Sequence, residues 1–146
     1  MKILIDADGC PVVDLTVGIV KEYELECVIL CDTSHVYSIP GIKTITLSKG
    51  SDSVDFALVN MVDKNDVVVT QDYGLAAMCL AKGATPLNQN GMVYNDCNID
   101  TLLYARHEAK KLRNSGHRLK GPKKRTKIQN EDFEKALRSI LTNNKS

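Results

Sequence analysis

The chain has 146 residues, of which 43% are apolar and 25% charged, with 19 Lys and Arg against 18 Asp and Glu. That length fits one domain, and that balance excludes wholesale disorder. No apolar run nears the ~20 residues of a membrane span, and Asp6 and Asp8 interrupt the start before a signal-peptide apolar region forms, so a soluble, cytoplasmic protein is expected.

Lys2-Ile3-Leu4-Ile5 is a branched apolar run stopped by Asp6, Asp8 and Gly9, which predicts a buried strand. Pro11 suits the first turn of a helix, and Val12, Leu15, Ile19 and Val20 supply its apolar stripe. Cys27 to Cys31 reads as a second buried strand. A loop from Asp32 to Gly41 leads to an alternating third strand, Ile42 to Leu47, and a turn over 48–51. Ser51 or Asp52 caps a helix bearing Val54, Ala57, Leu58, Met61 and Val62. Asp66 to Thr70 is a fourth strand, and Asp72 precedes a helix from Leu75 to Ala81 ended by Gly83. Short extended pieces at 84–87 and 92–94 flank a Gln89-Asn90-Gly91 turn. Asn98 or Asp100 opens a helix through Leu112, and residues 114–127 form a basic loop broken by Gly and Pro. Asn130 caps a last helix whose apolar face is Phe133, Ala136, Leu137, Ile140 and Leu141.

Strands alternating with helices predict a three-layer α/β/α domain with a mainly parallel central sheet. One domain over 1–146 is expected: an acidic α/β core at 1–97, a basic helical extension at 98–142 on the periphery, and a tail at 143–146. Charge is divided along the chain. Residues 1–103 hold 6 lysines and 14 acids, whereas residues 104–146 hold 13 basic residues and 4 acids. An acidic site beside a basic docking surface is one reading, and a solvated helical face with a tail is the other. The five cysteines, an odd number without a secretory signal, predict reduced packing residues rather than a disulfide framework. Cys27 and Cys31 enclose an apolar strand, and no second pair has zinc-ligand spacing.

Ligands of open parallel sheets bind beyond the carboxyl ends of the strands. Those ends carry Asp6, Asp8 and Asp72, while Asp52 and Asp55 open the helix after the third strand. Converging carboxylates repel one another unless a cation joins them, and oxygen-only donors suit Mg²⁺ or Mn²⁺. Helix capping is the alternative for Asp52 and Asp72. Asp6 at the end of an apolar strand is costly without partners. Asp6-Ala7-Asp8-Gly9 also allows a haloacid-dehalogenase-like phosphatase, with Thr70 and Lys82 in support, but residues 73–95 lack the late acidic pair which that chemistry needs.

Asp6-Ala7-Asp8-Gly9-Cys10-Pro11, Lys49-Gly50-Ser51-Asp52-Ser53-Val54-Asp55 and Val68-Val69-Thr70-Gln71-Asp72-Tyr73-Gly74-Leu75-Ala76 resemble the YaiI/YqxD family, as do Lys82-Gly83-Ala84, Asn98-Ile99, and Leu112-Arg113 with Gly116, Gly121 and Pro122. Gly9 stands where that family commonly has Ala. The resemblance implies a bacterial PIN-like domain and the architecture of a metal-dependent ribonuclease. It makes Asp6, Asp55 and Asp72 the catalytic acids holding one or two Mg²⁺ or Mn²⁺ ions. Asp8 and Asp52 are further metal-site acids and Thr70 a supporting residue. RNA is the expected partner, contacted through Arg106, Lys110, Arg113, Arg118, Lys120, Lys123, Lys124 and Arg125. Tyr73 is placed to stack on a base or to pack its helix. No membrane partner is expected, and a homodimer is compatible with the sequence. A non-catalytic RNA- or ribosome-associated module is the alternative to the nuclease.

Overall fold

Alternation within the first strand decides the layers. The computed structural model describes residues 1–33, 37–48, 53–114 and 124–143. Strand β1 (Lys2–Asp6) sends Ile3 and Ile5 into one core and Leu4 into another, as a two-residue repeat requires. The chain continues as α1 (Val13–Glu22), β2 (Glu26–Asp32), β3 (Lys43–Leu47), α2 (Ser53–Met61), β4 (Val67–Val69), α3 (Tyr73–Ala81), β5 (Thr85–Leu87), α4 (Asp96–Asn114) and α5 (Lys127–Asn143). The five strands form a parallel sheet in the order β3-β2-β1-β4-β5. The α/β architecture expected from the alternation of strands and helices is therefore the architecture found.

One face of the sheet packs against α1 and α5, through Val13, Val17, Val20, Phe133, Leu137 and Leu141. The other packs against α2 and α3, through Val54, Leu58, Leu75 and Cys79. A smaller cluster around Ala76, Tyr94 and Ile99 joins α3 to α4. The strands are buried on both sides, which is why β2 and β4 read as continuous apolar runs. None of the five cysteines is in a disulfide, and burial pushes the Cys27 and Cys79 thiols up to about 12.

The expectation that both last helices lie on the periphery fails for α5. Phe133 and Leu137 are 0% exposed and sit within the main core. Three helix starts also differ from those expected. Asn95 rather than Asn98 or Asp100 caps α4: its Oδ1 accepts from the Asn98 amide at 2.8 Å, and Asn98 returns the bond at 2.9 Å. Thr126 and Gln129 cap α5 in the same reciprocal way, so the helix starts before Asn130, which instead accepts from Arg125 Nε at 2.6 Å. Pro11 precedes α1 rather than lying in its first turn. The cap expected at Ser51 or Asp52 lies outside the described residues.

At the amino ends of β1 and β4, Lys2 Nζ donates to Asp63 at 2.7 Å and to Asp66 at 2.6 Å. Burial opposes both charges there. The hydrogen bonds and mutual attraction prevail, holding Lys2 above and Asp66 below their usual ranges. Two acids are thus tied down at the end of the sheet opposite the strand carboxyl ends.

Candidate active site

Strand order reverses between β1 and β4: one connection leads toward β2 and β3, the other toward β5. This is the switch point at which the carboxyl ends of a parallel sheet open a crevice. Asp6 is the last residue of β1. Beyond it Ala7 N–H donates to the Leu30 carbonyl at 3.0 Å and Cys10 N–H to the Ala7 carbonyl at 3.0 Å, which closes a turn. Gly9 holds φ +72° in that turn, a left-handed conformation natural to glycine. Asp8 sits within it and accepts from the Asp32 amide at 3.2 Å, tying the exit of β1 to the end of β2.

The chain leaving β4 meets the same crevice. Thr70 is 1% exposed, and its hydroxyl donates to Asp6 Oδ2 at 2.8 Å while accepting from Asp72 N–H at 3.0 Å. The Thr70 carbonyl accepts from the buried Tyr94 hydroxyl at 3.2 Å. Asp72 caps α3: its Oδ1 accepts from Gly74 N–H at 2.9 Å and Leu75 N–H at 3.2 Å. Asp72 is therefore both a helix cap and a member of the crevice. Arg106 of α4 reaches the same Oδ1 at 3.5 Å.

Asp6, Asp8, Asp72 and Arg106 line an open cavity of about 740 Å³ together with Asp55, from the first turn of α2, and with Asp32, Gln71 and Tyr73. Burial, followed by the negative charges of Asp55, Asp8 and Asp72, pushes the Asp6 carboxyl up to about 6, against the lowering effect of the Thr70 hydrogen bond. Among the described residues, no three His, Cys, Asp or Glu side chains stand at metal-holding spacing as placed. The chemistry of the donors nonetheless fits a hard cation. They are carboxylates only, they disfavour one another's charge, and Asp6 Oδ1 and Asp72 Oδ2 accept no hydrogen bond among the described residues.

The structure thus brings Asp6, Asp8, Asp55 and Asp72 to one cavity, with Thr70 beneath two of them. Asp52 lies outside the described residues. Of the expected RNA contacts, Arg106 lines the cavity, Lys110 and Lys124 are exposed, and Arg125 lines a neighbouring depression. Arg118, Lys120 and Lys123 lie outside the described residues, as does the side chain of Arg113. Lys82 donates to the Val59 carbonyl at 2.6 Å and does not line the cavity, so it lends the phosphatase alternative nothing. Tyr73 lines the cavity and packs edge-on to Tyr94, with ring centroids 6.0 Å apart. Asp32 and Gln71 were not singled out from the sequence. Asp32 ends an apolar strand as Asp6 does, and that signal was available; a neutral glutamine carries none. No helix among the described residues is long and apolar enough to cross a membrane.

A family model described as "Uncharacterized BCR, YaiI/YqxD family" matches residues 4–143. A UPF0178 protein of Exiguobacterium sibiricum is 50% identical over 142 residues, covering 97% of this chain and 97% of the relative. A second, from Ruminiclostridium cellulolyticum, is 50% identical over 137 residues, or 94% and 90% of the two chains. Among solved structures, a mutant of Rae1 (YacP) from Bacillus subtilis matches with a TM-score of 0.44 and 14% identity, covering 99% of each chain.

Proposed function

The chain belongs to the YaiI/YqxD family, and on that premise we propose that it is a Mg²⁺- or Mn²⁺-dependent nuclease that hydrolyses RNA phosphodiester bonds. The observation that carries this reading is the gathering of Asp6, Asp8, Asp55 and Asp72, from three separate stretches of chain, around one open cavity at the switch point of the sheet. A plain binding surface for a polyanion has no use for clustered negative charge. Asp6, Asp55 and Asp72 would hold the ion or ions, with Asp8 and, by the family resemblance, Asp52 beside them. A divalent ion held there would polarise the phosphodiester and make a bound water acidic enough to supply hydroxide as the nucleophile.

The chain's own groups prepare that cavity. Thr70 fixes one oxygen of Asp6, and the α3 amides fix one oxygen of Asp72, so each presents its other oxygen without side-chain searching. Arg106, 3.5 Å from Asp72 and 58% exposed at its side chain, can pair with a phosphate oxygen in the bidentate manner of guanidinium groups. Tyr73 offers a ring at the rim for stacking. Lys110, Arg113, Arg118, Lys120, Lys123, Lys124 and Arg125 would follow the phosphate chain outward.

The test is cleavage of labelled single-stranded and structured RNAs by purified protein with Mn²⁺. Asp72→Asn retains the helix cap, because asparagine caps as well as aspartate. It is expected to lower cleavage by about 100-fold, as loss of one preorganised electrostatic group does, with no change in Tm. Intact RNAs in the presence of wild-type protein would overturn the reading. The Arg106–Asp72 contact favours a second reading, since it balances one acid without an ion. A non-catalytic RNA-binding module binds RNA with an affinity indifferent to Asp72→Asn.

A further inference from the structure

Beside the acidic cavity lies a second depression of about 310 Å³, and Gln71 lines both. Gln89, Asn90, Arg125 and Gln129 complete its polar wall. We propose that this depression binds the unpaired base and the phosphate of a ribonucleotide adjoining the one that is cut. The proposal rests on the nuclease reading and extends it to a base-reading subsite.

Three of the four amides, those of Gln71, Asn90 and Gln129, are oriented by partners that permit one sense only. Gln71 donates from Nε2 to the Gly9 carbonyl at 2.6 Å, so its Oε1 is left as an acceptor. Asn90 Oδ1 accepts from Arg125 Nη1 at 2.7 Å, and Gln129 Oε1 accepts from Thr126 N–H at 2.9 Å, so both keep amino groups as donors. Gln89 Oε1 is buried and has no hydrogen bond among the described residues. Acceptors and donors held side by side are what the Watson–Crick edge of a nucleobase pairs with, and only an unpaired base exposes that edge.

Arg125 supplies the charge. Its guanidinium donates to Asn130 Oδ1, Asn90 Oδ1 and the Gln89 carbonyl, all neutral acceptors, and no carboxylate lies within ion-pair distance among the described residues. A half-buried cation so oriented remains available to a phosphate. The wall is also rigid. Gly91 has φ +88°, and a Cβ there would stand 2.6 Å from the Asp132 carbonyl oxygen, so the turn carrying Gln89 and Asn90 lies directly against α5.

The experiment is equilibrium binding, by fluorescence anisotropy in EDTA, of the four homopolymer hexaribonucleotides and of an abasic ribose-phosphate hexamer to the full chain. Wild-type protein is expected to bind at least one homopolymer about tenfold tighter than the abasic chain, the equivalent of one good base contact. Gln89→Leu should remove that preference and leave abasic binding unchanged. Asn90→Asp keeps the acceptor for Arg125 but balances its charge, and should weaken every hexamer about tenfold. Equal binding of abasic and base-bearing chains by wild-type protein, or wild-type affinity in Asn90→Asp, overturns the proposal. The same hexamers are then incubated with Mn²⁺. Cleavage without base preference sinks the subsite alone, whereas base preference without cleavage sinks the nuclease reading, and with it the cut beside the subsite, and leaves only base binding in the depression.

Discussion

The single hydroxyl of Thr70 serves two acids. Because it accepts the Asp72 amide at 3.0 Å, its own proton is directed to Asp6 at 2.8 Å. Even so, burial and three neighbouring carboxylates hold Asp6 at about 6, above the ~3.9 of an unfolded chain. Without an ion, the folded protein therefore binds a proton more readily than the unfolded chain between about pH 4 and 6, and stability rises as pH falls through that window. Above pH 6 the ionised carboxylate opposes folding in full. Asp6→Asn is accordingly expected to raise the stability of EDTA-treated protein by roughly 1–3 kcal/mol at pH 8, and the gain should fade toward pH 4. Urea titrations at the two pH values check this, and a destabilised variant at pH 8 would show that the acid is held by protein partners alone. Asp6 and Asp72 were legible in the sequence because a charge that ends an apolar run must be accommodated somehow. The Thr70 bridge was not, since a threonine at a strand end reads the same whether its hydroxyl meets acids or solvent.

Among the elements, α5 shows where sequence pattern stops informing. Its stripe of Phe133, Leu137 and Leu141 predicts an amphipathic helix and nothing about its seat. The structure sets that stripe against the sheet face also covered by α1, with Arg138 reaching Glu22 of α1 at 2.7 Å. Leu137→Ala should cost about 2–5 kcal/mol, the range for a filled core position. An exposed peripheral helix would lose far less, so chemical denaturation separates the two. Strands β1, β2 and β4 were readable because burial on both faces leaves continuous apolar runs. The caps of α4 and α5 were misplaced because Asn95, Asn98, Thr126 and Asn130 are all competent capping residues, and the choice among them is made by what the helix packs against.

For the whole molecule, the separation of charge along the chain acquires a spatial meaning. Acids from the first half line the crevice, and Arg106 and Arg125 from the basic half stand at or beside it. Single-stranded RNA binding in EDTA should weaken linearly on a log–log salt plot, and Arg106→Ala should reduce the slope by about 0.7, the value for one phosphate contact. An unchanged slope places RNA elsewhere. The sheet order has a further consequence. β1, the strand nearest the amino end, is the middle strand, and its partner β4 follows it by 64 residues. A ribosome adding ~5–20 residues per second leaves one hydrogen-bonding edge of Ile3-Leu4-Ile5 open for several seconds. An open edge of that kind invites intermolecular pairing. Translation pace across residues 33–66 thus governs how much nascent chain escapes aggregation, and synonymous rare codons placed there should lower the soluble fraction, whereas the same codons after residue 90 should not.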